Sequence, residues 1–281
     1  MTAILSKNSY GKSAIRVLKV NKSSPIHKIK EFTVNICLEG DFETVHTKGD
    51  NRKCLPTDTM KNTVYAIAKD HSINSIEEFG IDLAKYFLTS NEQISKVKIE
   101  IEEKLWNRIM INDESGETSE HDHSFVSGGN EKKTAEIIIT RNEVFINSGI
   151  KDLLILKSTG SGFENYFKDK YTSLKETNDR VFSTSVKAVW SFASRDVDYI
   201  SVHKNVRKSI LEIFARQHSL SVQQTLYDIG KNILEICEEV SEISLTMPNK
   251  HYLPFNLEQF GMENNNEIFI PTDEPFGLIE A

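Results

Sequence analysis

The stretch ISKVKIEIEEKL, residues 94–105, sets apolar side chains at Val97, Ile99 and Ile101 and a charged side chain at each position between them. Because successive side chains of a β-strand point to opposite faces, this alternation predicts a strand with one buried and one solvated face. Such a strand is typical of an antiparallel sheet that helices cover on one side only. The segment therefore indicates an α+β fold.

The elements around this strand follow the same order in both halves of the chain, strand-strand-helix-helix-strand-strand. Ser75 with Glu78 forms a capping-box pattern at the start of one helix, and short runs rich in Val, Ile and Thr mark the strands. The order of elements predicts two repeats, residues 1–141 and 142–281. The predicted elements are 13–20, 28–38, 58–69, 75–88, 94–105 and 134–141 in the first half, and 144–157, 181–192, 202–217, 222–240, 243–247 and 267–270 in the second.

Each repeat thus contributes a four-stranded antiparallel sheet that is backed by two helices. A four-stranded sheet has open edges, and proteins remove such edges by closing the sheet or by pairing it with another chain. We therefore expect the chain to assemble into a homo-oligomer.

Composition and charge exclude several classes of protein. The chain has 281 residues and a formal net charge of -7, with 38% hydrophobic and 27% charged residues, as in folded globular proteins. General nucleic-acid binding needs clustered Lys and Arg, so an acidic chain argues against that partner. No run of 18 apolar residues predicts a membrane span, and residues 1–10 lack the apolar core of a signal peptide. Three widely spaced cysteines, Cys37, Cys54 and Cys237, predict reduced thiols in a cytoplasmic protein.

The sequence lacks the common nucleotide-binding motifs and has one candidate for a metal site. There is no G-x-G-x-x-G after a strand and no G-x-x-x-x-G-K-[ST] phosphate loop. His121 and His123 form the only close pair of histidines, and on a strand they would share one face. Because no third ligand lies nearby in the sequence, a structural or solvent-facing role is favoured. We expect neither a metal nor a cofactor.

Six short polar clusters lie next to predicted elements, and each has a structural explanation beside a ligand-binding one. Thr57-Asp58 precede a helix, where they either cap it or leave backbone donors for an anion. Phe163 ends a loop rich in Gly and Ser, and it is either a core anchor or a stacking platform for a planar ligand. Arg180 offers a planar fork of donors, although a surface arginine is the commoner outcome.

The other three clusters have the same two explanations. Lys12 precedes the first strand and is either a solvated lysine or a base. Gln223 carries both a donor and an acceptor for reading a purine edge, beside a capping pattern at the start of a helix. Asn249 and His251 follow a strand, where Pro and Asn predict a turn and the histidine supplies a group that titrates near neutral pH. Taken singly, each of the six clusters is explained more simply as structure.

Taken in order, the six clusters resemble the urate oxidase (uricase) family of the bacterial type. The similarity runs from about residue 10 to 279 and thus covers nearly the whole chain. The motifs that carry it are Tyr10-Gly11-Lys12, Thr57-Asp58, Leu156-Lys157-Ser158-Thr159 with Phe163, Lys175-Glu176-Thr177 with Asp179-Arg180, Ser221-Val222-Gln223 and Pro248-Asn249-Lys250-His251-Tyr252.

The resemblance implies a tunnelling fold (T-fold) with two ββααββ repeats per chain, whose antiparallel sheets close into a barrel in a homotetramer. The implied reaction is the oxidation of urate with O2 and water to 5-hydroxyisourate and hydrogen peroxide, without a cofactor, in purine degradation. The implied active sites lie at subunit interfaces. One chain would contribute Lys12, Thr57, Asp58 and His251, and its neighbour Phe163, Arg180, Val222, Gln223 and Asn249.

The same resemblance assigns roles to these residues. Lys12, Thr57 and His251 would form a proton relay, and Asn249 with Thr57 would hold dioxygen above the ring. For the substrate, Phe163 would stack on the ring while the remaining groups bind its edge in the plane. These in-plane groups are the side chains of Arg180 and Gln223 and the backbone N–H groups near Thr57 and Val222.

One short segment departs from the family pattern. Leu55-Pro56 stand before Thr57, where relatives more often carry small or β-branched residues. Proline fixes its own φ and restricts the residue before it, so we expect a stiff loop at this point.

Two other functions are compatible with the same motifs. A pterin-handling enzyme of the tunnelling fold would use a glutamate anchor and, in some members, a zinc ion held by histidines, and His121 and His123 are its only support. A purine-binding protein without turnover would keep the cavity, but the complete set of Lys12, Thr57 and His251 argues against it.

Overall fold

The computed structural model describes residues 3–112, 115–194 and 196–281 and divides into two compact units, Met1–Ser148 and Gly149–Ala281. Each unit has its own cluster of buried apolar side chains. The boundary expected between the repeats, 141/142, lies in the turn between two strands. The division between the two compact units, after Ser148, falls within the second of these strands, β5 (Val144–Lys157).

The first unit is an antiparallel sheet covered by helices on one face. Its elements are β1 (Tyr10–Asn21), β2 (Lys28–Gly40), α1 (Glu43–Lys48), α2 (Thr57–Asp70), α3 (Ile76–Ser90), β3 (Ile94–Asn112), β4 (Thr118–Thr140) and β5 (Val144–Lys157), which continues into the second unit. The strands lie in the order β1-β2-β3-β4, and each pairs antiparallel with the next. The alternation that indicates the fold is confirmed, because Val97, Ile99 and Ile101 are at most 1% exposed.

The helix α3 shows why its sequence folds locally as it does. Ser75 is the N-cap residue, and its hydroxyl accepts the backbone N–H of Glu78, as the capping pattern predicts. Phe79, Leu83 and Phe87 recur four residues apart and are fully buried against the sheet. This apolar stripe places α3 on β3 and β4.

The second unit repeats the plan with one addition. Along the sheet β5, β6, β8 and β9 are neighbours, and β7 and β8 pair with successive parts of β6. Two helices, α4 and α5, follow β6, and α5 packs on β7. The further elements are β6 (Phe182–Phe192), α4 (Tyr199–Arg216), α5 (Val222–Ile236), β7 (Val240–Thr246), β8 (Asn249–Pro254) and β9 (Phe269–Gly277).

Several elements differ from the sequence prediction. β3 continues to Asn112 rather than ending at 105, and β9 spans Phe269–Gly277 rather than 267–270. β4 begins at Thr118 rather than 134, because its polar first half pairs with the outer part of β3. β8 was expected to be a turn, yet it is a strand because it pairs with both β6 and β9. The six-residue α1 was not predicted, since it buries none of its side chains and thus shows no apolar stripe. None of the described helices combines the length and apolar character needed to cross a membrane.

Candidate functional site

Lys12 is half-buried on β1 beside a distortion of the strand. Lys12 pairs with Ile36, and the register of β1 on β2 shifts between Lys12 and Ile15. Within the shift Ala14 has φ 58°, and its N–H donates to the Asn35 side-chain oxygen over 2.8 Å. Such a bulge bends the strand and redirects the side chains next to it. The backbone thus sets the direction of Lys12.

Thr57 and Asp58 begin α2, whose N-terminus differs from those of the other long helices. Pro56 occupies the N-cap position and supplies no side-chain acceptor, whereas Ser75 and Ser221 cap α3 and α5. The first N–H groups of a helix need an outside acceptor and carry a partial positive charge. The start of α2 is therefore suited to an anion or a polar ring edge.

The charge on Asp58 is fixed by its neighbours. Its carboxylate accepts from the Lys61 ammonium at 2.5 Å and from the Asn62 amide at 3.0 Å. The hydrogen bond from Lys61 is the main cause that holds the pKa of Asp58 below its usual value, and the charge of Lys12 adds to the effect. Lys12 and Asp58 therefore lie within electrostatic reach of one another.

In the second unit, four of the predicted residues line one cavity of about 370 Å³: Phe163, Arg180, Asn249 and His251. Asn249 and His251 are alternate residues of β8 and share one face of that strand. Their backbones are held at Thr184 of β6 and at Gly277 and Thr272 of β9.

Phe163 and Arg180 are held in this cavity by backbone hydrogen bonds. The N–H of Phe163 donates to Thr177 O at 2.7 Å, and the N–H of Thr177 donates back to Phe163 O at 3.2 Å. The N–H of Arg180 donates to Ser161 O at 2.8 Å. The guanidinium carbon of Arg180 lies 5.4 Å from the centre of the Phe163 ring. An aromatic plane and a fork of donors thus stand side by side.

The guanidinium of Arg180 has an unsatisfied donor. Its Nε is buried and has no hydrogen-bond partner, and burial lowers the pKa of Arg180 from its ordinary value. A buried donor without an acceptor costs about 1–3 kcal/mol, and more for a charged group. The cavity is therefore suited to a ligand that brings acceptors, an anion above all.

Tyr166 is part of the site and was missed by sequence analysis. Its ring stacks on Phe163 with centroids 4.8 Å apart and planes 12° apart, and its hydroxyl donates to Leu174 O at 2.6 Å. It therefore fixes the plane of the Phe163 ring. An aromatic residue three positions after Phe163 is the one signal in the sequence, and it does not by itself indicate stacking.

Val222 and Gln223 do not line the cavity, but their helix is tied to the loop that carries Phe163. The N–H of Gly162 donates to Ser219 O at 2.8 Å, and the N–H of Ser219 donates to Gly160 O at 2.9 Å. Val222 is buried, and Gln223 is exposed at the start of α5.

The predicted residues thus form two sets, one in each unit. Lys12, Thr57 and Asp58 belong to the first unit, and Phe163, Arg180, Val222, Gln223, Asn249 and His251 to the second. His251, which the family resemblance groups with Lys12, lines the Phe163 cavity together with Asn249.

Comparison with known proteins decides the family. A sequence profile described as Uricase matches residues 8–138 and 146–280. The chain belongs to the uricase family.

The similarity of this chain to its relatives extends over nearly its whole length. It is 40% identical to the uricase of Arthrobacter globiformis over 99% of this chain and 89% of the relative. It is 41% identical to the uricase of Dictyostelium discoideum, over 99% and 96%. The crystal structure of Arthrobacter globiformis uricase superposes with a TM-score of 0.93, covering 100% of this chain and 94% of the other. The fold is the α+β tunnelling fold.

The histidine pair of this chain, His121 and His123, lies on β4. The rings of His121 and His123 are 4.6 Å apart, and the His27 ring is 5.6 Å from His123. Among residues 3–112, 115–194 and 196–281, no group of three His, Cys, Asp or Glu side chains is arranged to hold a metal ion. The pair carries no metal assignment.

Proposed function

We propose that the chain is the subunit of a urate oxidase that converts urate, O2 and water into 5-hydroxyisourate and hydrogen peroxide without a bound cofactor. The observation that carries the proposal is the cavity in which the Phe163 ring lies beside the unsatisfied guanidinium of Arg180. Uricase relatives at 40% and 41% identity give the reaction class.

Two features of the cavity support recognition of urate, and the family resemblance adds Gln223 and Val222 from the start of α5, which do not line the cavity. Urate is flat, so one face stacks on Phe163, whose ring plane Tyr166 fixes. It is an anion with adjacent acceptors on its ring edge, which match the planar fork of Arg180. Gln223, with a donor and an acceptor, completes the edge on the pyrimidine side, and the N–H of Val222 adds a backbone donor.

The first unit supports the chemical step. Lys12 and Thr57 pass a proton, with His251 as the third member of the relay, because an imidazole ring can both donate and accept a hydrogen bond. Asn249 and Thr57 hold dioxygen, and afterwards water, above the ring. The N–H groups at the start of α2, next to Asp58, add positive potential that favours the ionised substrate. The substrate supplies the electrons, and the protein supplies proximity and proton transfer.

The assembly we propose is a homotetramer with active sites at subunit interfaces. Lys12, Thr57 and Asp58 of one subunit meet the Phe163 cavity of its neighbour. Support comes from the separation of the two sets into two units and from the edge strands β1 and β9, each of which ends the strand order of its unit. We also place the repeat boundary at 141/142 and the enzyme in the cytoplasm, where three free thiols stay reduced.

The experiment that tests the function is an oxygen-electrode trace of metal-stripped protein with urate, run beside a hydrogen peroxide assay. Oxygen uptake with one peroxide formed per O2 supports cofactor-free urate oxidation. Uptake that returns only when a metal or flavin is added would contradict the cofactor-free mechanism. No uptake by folded tetramer that still binds urate would support a purine-binding protein instead.

A further inference from the structure

The helix α2 begins with Thr57 and Asp58, and hydrogen bonds tie it to β1, which carries Lys12, at two places; a third tie holds Leu55, just before the helix. At the far end the Lys19 ammonium donates to Ala68 O at 2.6 Å and to His71 O. In the middle, the Tyr65 hydroxyl donates to Arg16 O at 3.1 Å. The third tie lies at the near end, beside the proposed catalytic residues.

The near tie is a single phenol hydroxyl that makes two hydrogen bonds to one residue. The Tyr10 hydroxyl accepts the N–H of Leu55 at 2.8 Å and donates to the carbonyl of Leu55 at 3.2 Å. Its ring is held edge-on against Phe42, with centroids 4.8 Å apart. These two hydrogen bonds go to the peptide groups on either side of one residue, and together they fix both the distance and the direction of the Leu55 backbone relative to Tyr10.

The Tyr10–Leu55 contact lies close in sequence to both Lys12 and Thr57, the proposed partners in proton transfer. Tyr10 stands two residues before Lys12 on the same strand, and Leu55 stands two residues before Thr57. The intervening Pro56 has φ -58° and ψ 138°, and its ring prevents rotation about φ. Few free torsions therefore separate the hydroxyl from the Lys12 backbone on one side and the Thr57 backbone on the other.

The hydroxyl remains a donor in ordinary buffers. Burial is the main cause that raises the pKa of Tyr10 to about 12; the Leu55 backbone opposes the shift, and the neighbouring Cys54 thiol adds to it. Both hydrogen bonds to Leu55 therefore persist across the range in which an enzyme is assayed.

We propose that Tyr10 is a positioning residue, whose hydroxyl sets the separation of Lys12 and Thr57 by clamping the Leu55-Pro56 loop against β1. The proposal rests on the proposed function, because it takes Lys12 and Thr57 as partners in proton transfer. Tyr10 itself does not join the relay, since both hydrogen bonds of its hydroxyl go to the backbone of Leu55.

The test compares two variants that each remove one phenol hydroxyl from a tie between β1 and the α2 segment. Tyr10→Phe keeps the ring on Phe42 and removes the clamp, while Tyr65→Phe removes the exposed tie to Arg16 and is the matched control. Misplacing a reacting group by about 1 Å costs on the order of 100-fold in rate. We expect kcat for urate to fall by roughly 10- to 100-fold in Tyr10→Phe and to change less than about twofold in Tyr65→Phe.

A second readout separates positioning from a general structural role. Binding of urate without oxygen, measured by titration, should change less than about threefold in Tyr10→Phe, because the Phe163 cavity is intact. Lys12→Met should remove most of the activity, and adding Tyr10→Phe to it should cause little further loss. When one residue acts through another, the double variant loses less activity than the sum of the two single losses in free energy. Two independent structural defects give losses that add.

The oxygen-uptake and binding assays distinguish failure of the proposed function from failure of the positioning role. Wild-type protein without oxygen uptake would overturn the proposed function, whatever the variants do. With an active wild type, the positioning role is overturned if Tyr10→Phe keeps the wild-type kcat or loses no more than Tyr65→Phe. It is equally overturned if the losses of Tyr10→Phe and Lys12→Met add. A thermal melt of each variant shows that the compared proteins are folded.

Discussion

Replacing Gly11 by alanine is expected to separate β1 from β2 beside Lys12. A Cβ at position 11 would lie 1.7 Å from the carbonyl oxygen of Ile36 and 2.7 Å from its carbonyl carbon. Both atoms are backbone, so no side-chain rotation relieves the contact. Real Cβ atoms essentially never lie closer than 3.0 Å to another heavy atom, so the Ile36 oxygen would have to move away from the added Cβ by 1.3 Å, from 1.7 Å to 3.0 Å.

The magnitude follows from that shift. Forcing an extra methyl into a packed region costs about 1–3 kcal/mol, and loosening a ladder hydrogen bond adds about 0.5–1.5 kcal/mol. The expected loss is about 1.5–4.5 kcal/mol, which lowers the melting temperature by roughly 5–15 °C in a unit of this size. Because Lys12 is the next residue, kcat should fall by about 100-fold even in the folded fraction.

Gly230→Ala is the matched control within the same chain. There the added Cβ would meet Leu245 at 3.5 Å and Ile243 at 3.8 Å, which are ordinary contacts, and it would replace a helical glycine of α5. Alanine in a helix interior is favoured by about 0.5–1 kcal/mol, so this variant should melt slightly higher than wild type and keep its activity. Calorimetry and the oxygen electrode measure both effects. A Gly11→Ala protein with unchanged melting temperature and kcat would refute the reasoning.

Three further predictions concern other contacts. Arg180→Lys keeps the charge but loses the planar fork, so anaerobic urate affinity should fall by roughly 10- to 100-fold; unchanged affinity by titration would reject the fork. Burial raises the pKa of Glu77, which accepts a hydrogen bond from Ser148, above its unfolded value. The folded state therefore holds the proton more tightly, and wild-type stability falls as pH rises from the unfolded pKa towards the folded one. The melting temperature of Glu77→Gln should fall less than that of the wild type as pH rises through this range. Melting temperatures of the two proteins that change in parallel with pH would contradict the role given to Glu77. Ser221→Ala removes the acceptor for the N–H of Gln224 and should lower stability by about 0.5–2 kcal/mol, measured by urea unfolding; no change would show that the cap contributes nothing.

The sequence predicted most of the elements because their information is local. An alternation of apolar and charged residues predicts the strand at 94–105. Apolar residues four positions apart, following the N-cap residue Ser75, predict α3. The family, and through it the fold and the reaction class, also followed from short motifs in a fixed order.

The shape of the candidate site did not follow from local pattern. β8 is half polar and ends in proline, and it is a strand only because β6 and β9 flank it. Without that pairing, the Pro and Asn around Asn249 and His251 predict a turn, and the local pattern does not show that both residues line the Phe163 cavity.

Local sequence pattern likewise does not predict the contacts that hold the site residues in place. The sequence by itself determined which residue types were present, the order of strands and helices, and the family. Only the tertiary structure decided that Tyr166 stacks on Phe163, that Arg180 has a buried donor to spare, and that Tyr10 clamps Leu55. Periodicity records how a segment presents its own faces to a core. The Phe163–Tyr166 stacking depends instead on how an irregular loop folds, and the Tyr10–Leu55 contact joins residues that are 45 positions apart in the chain.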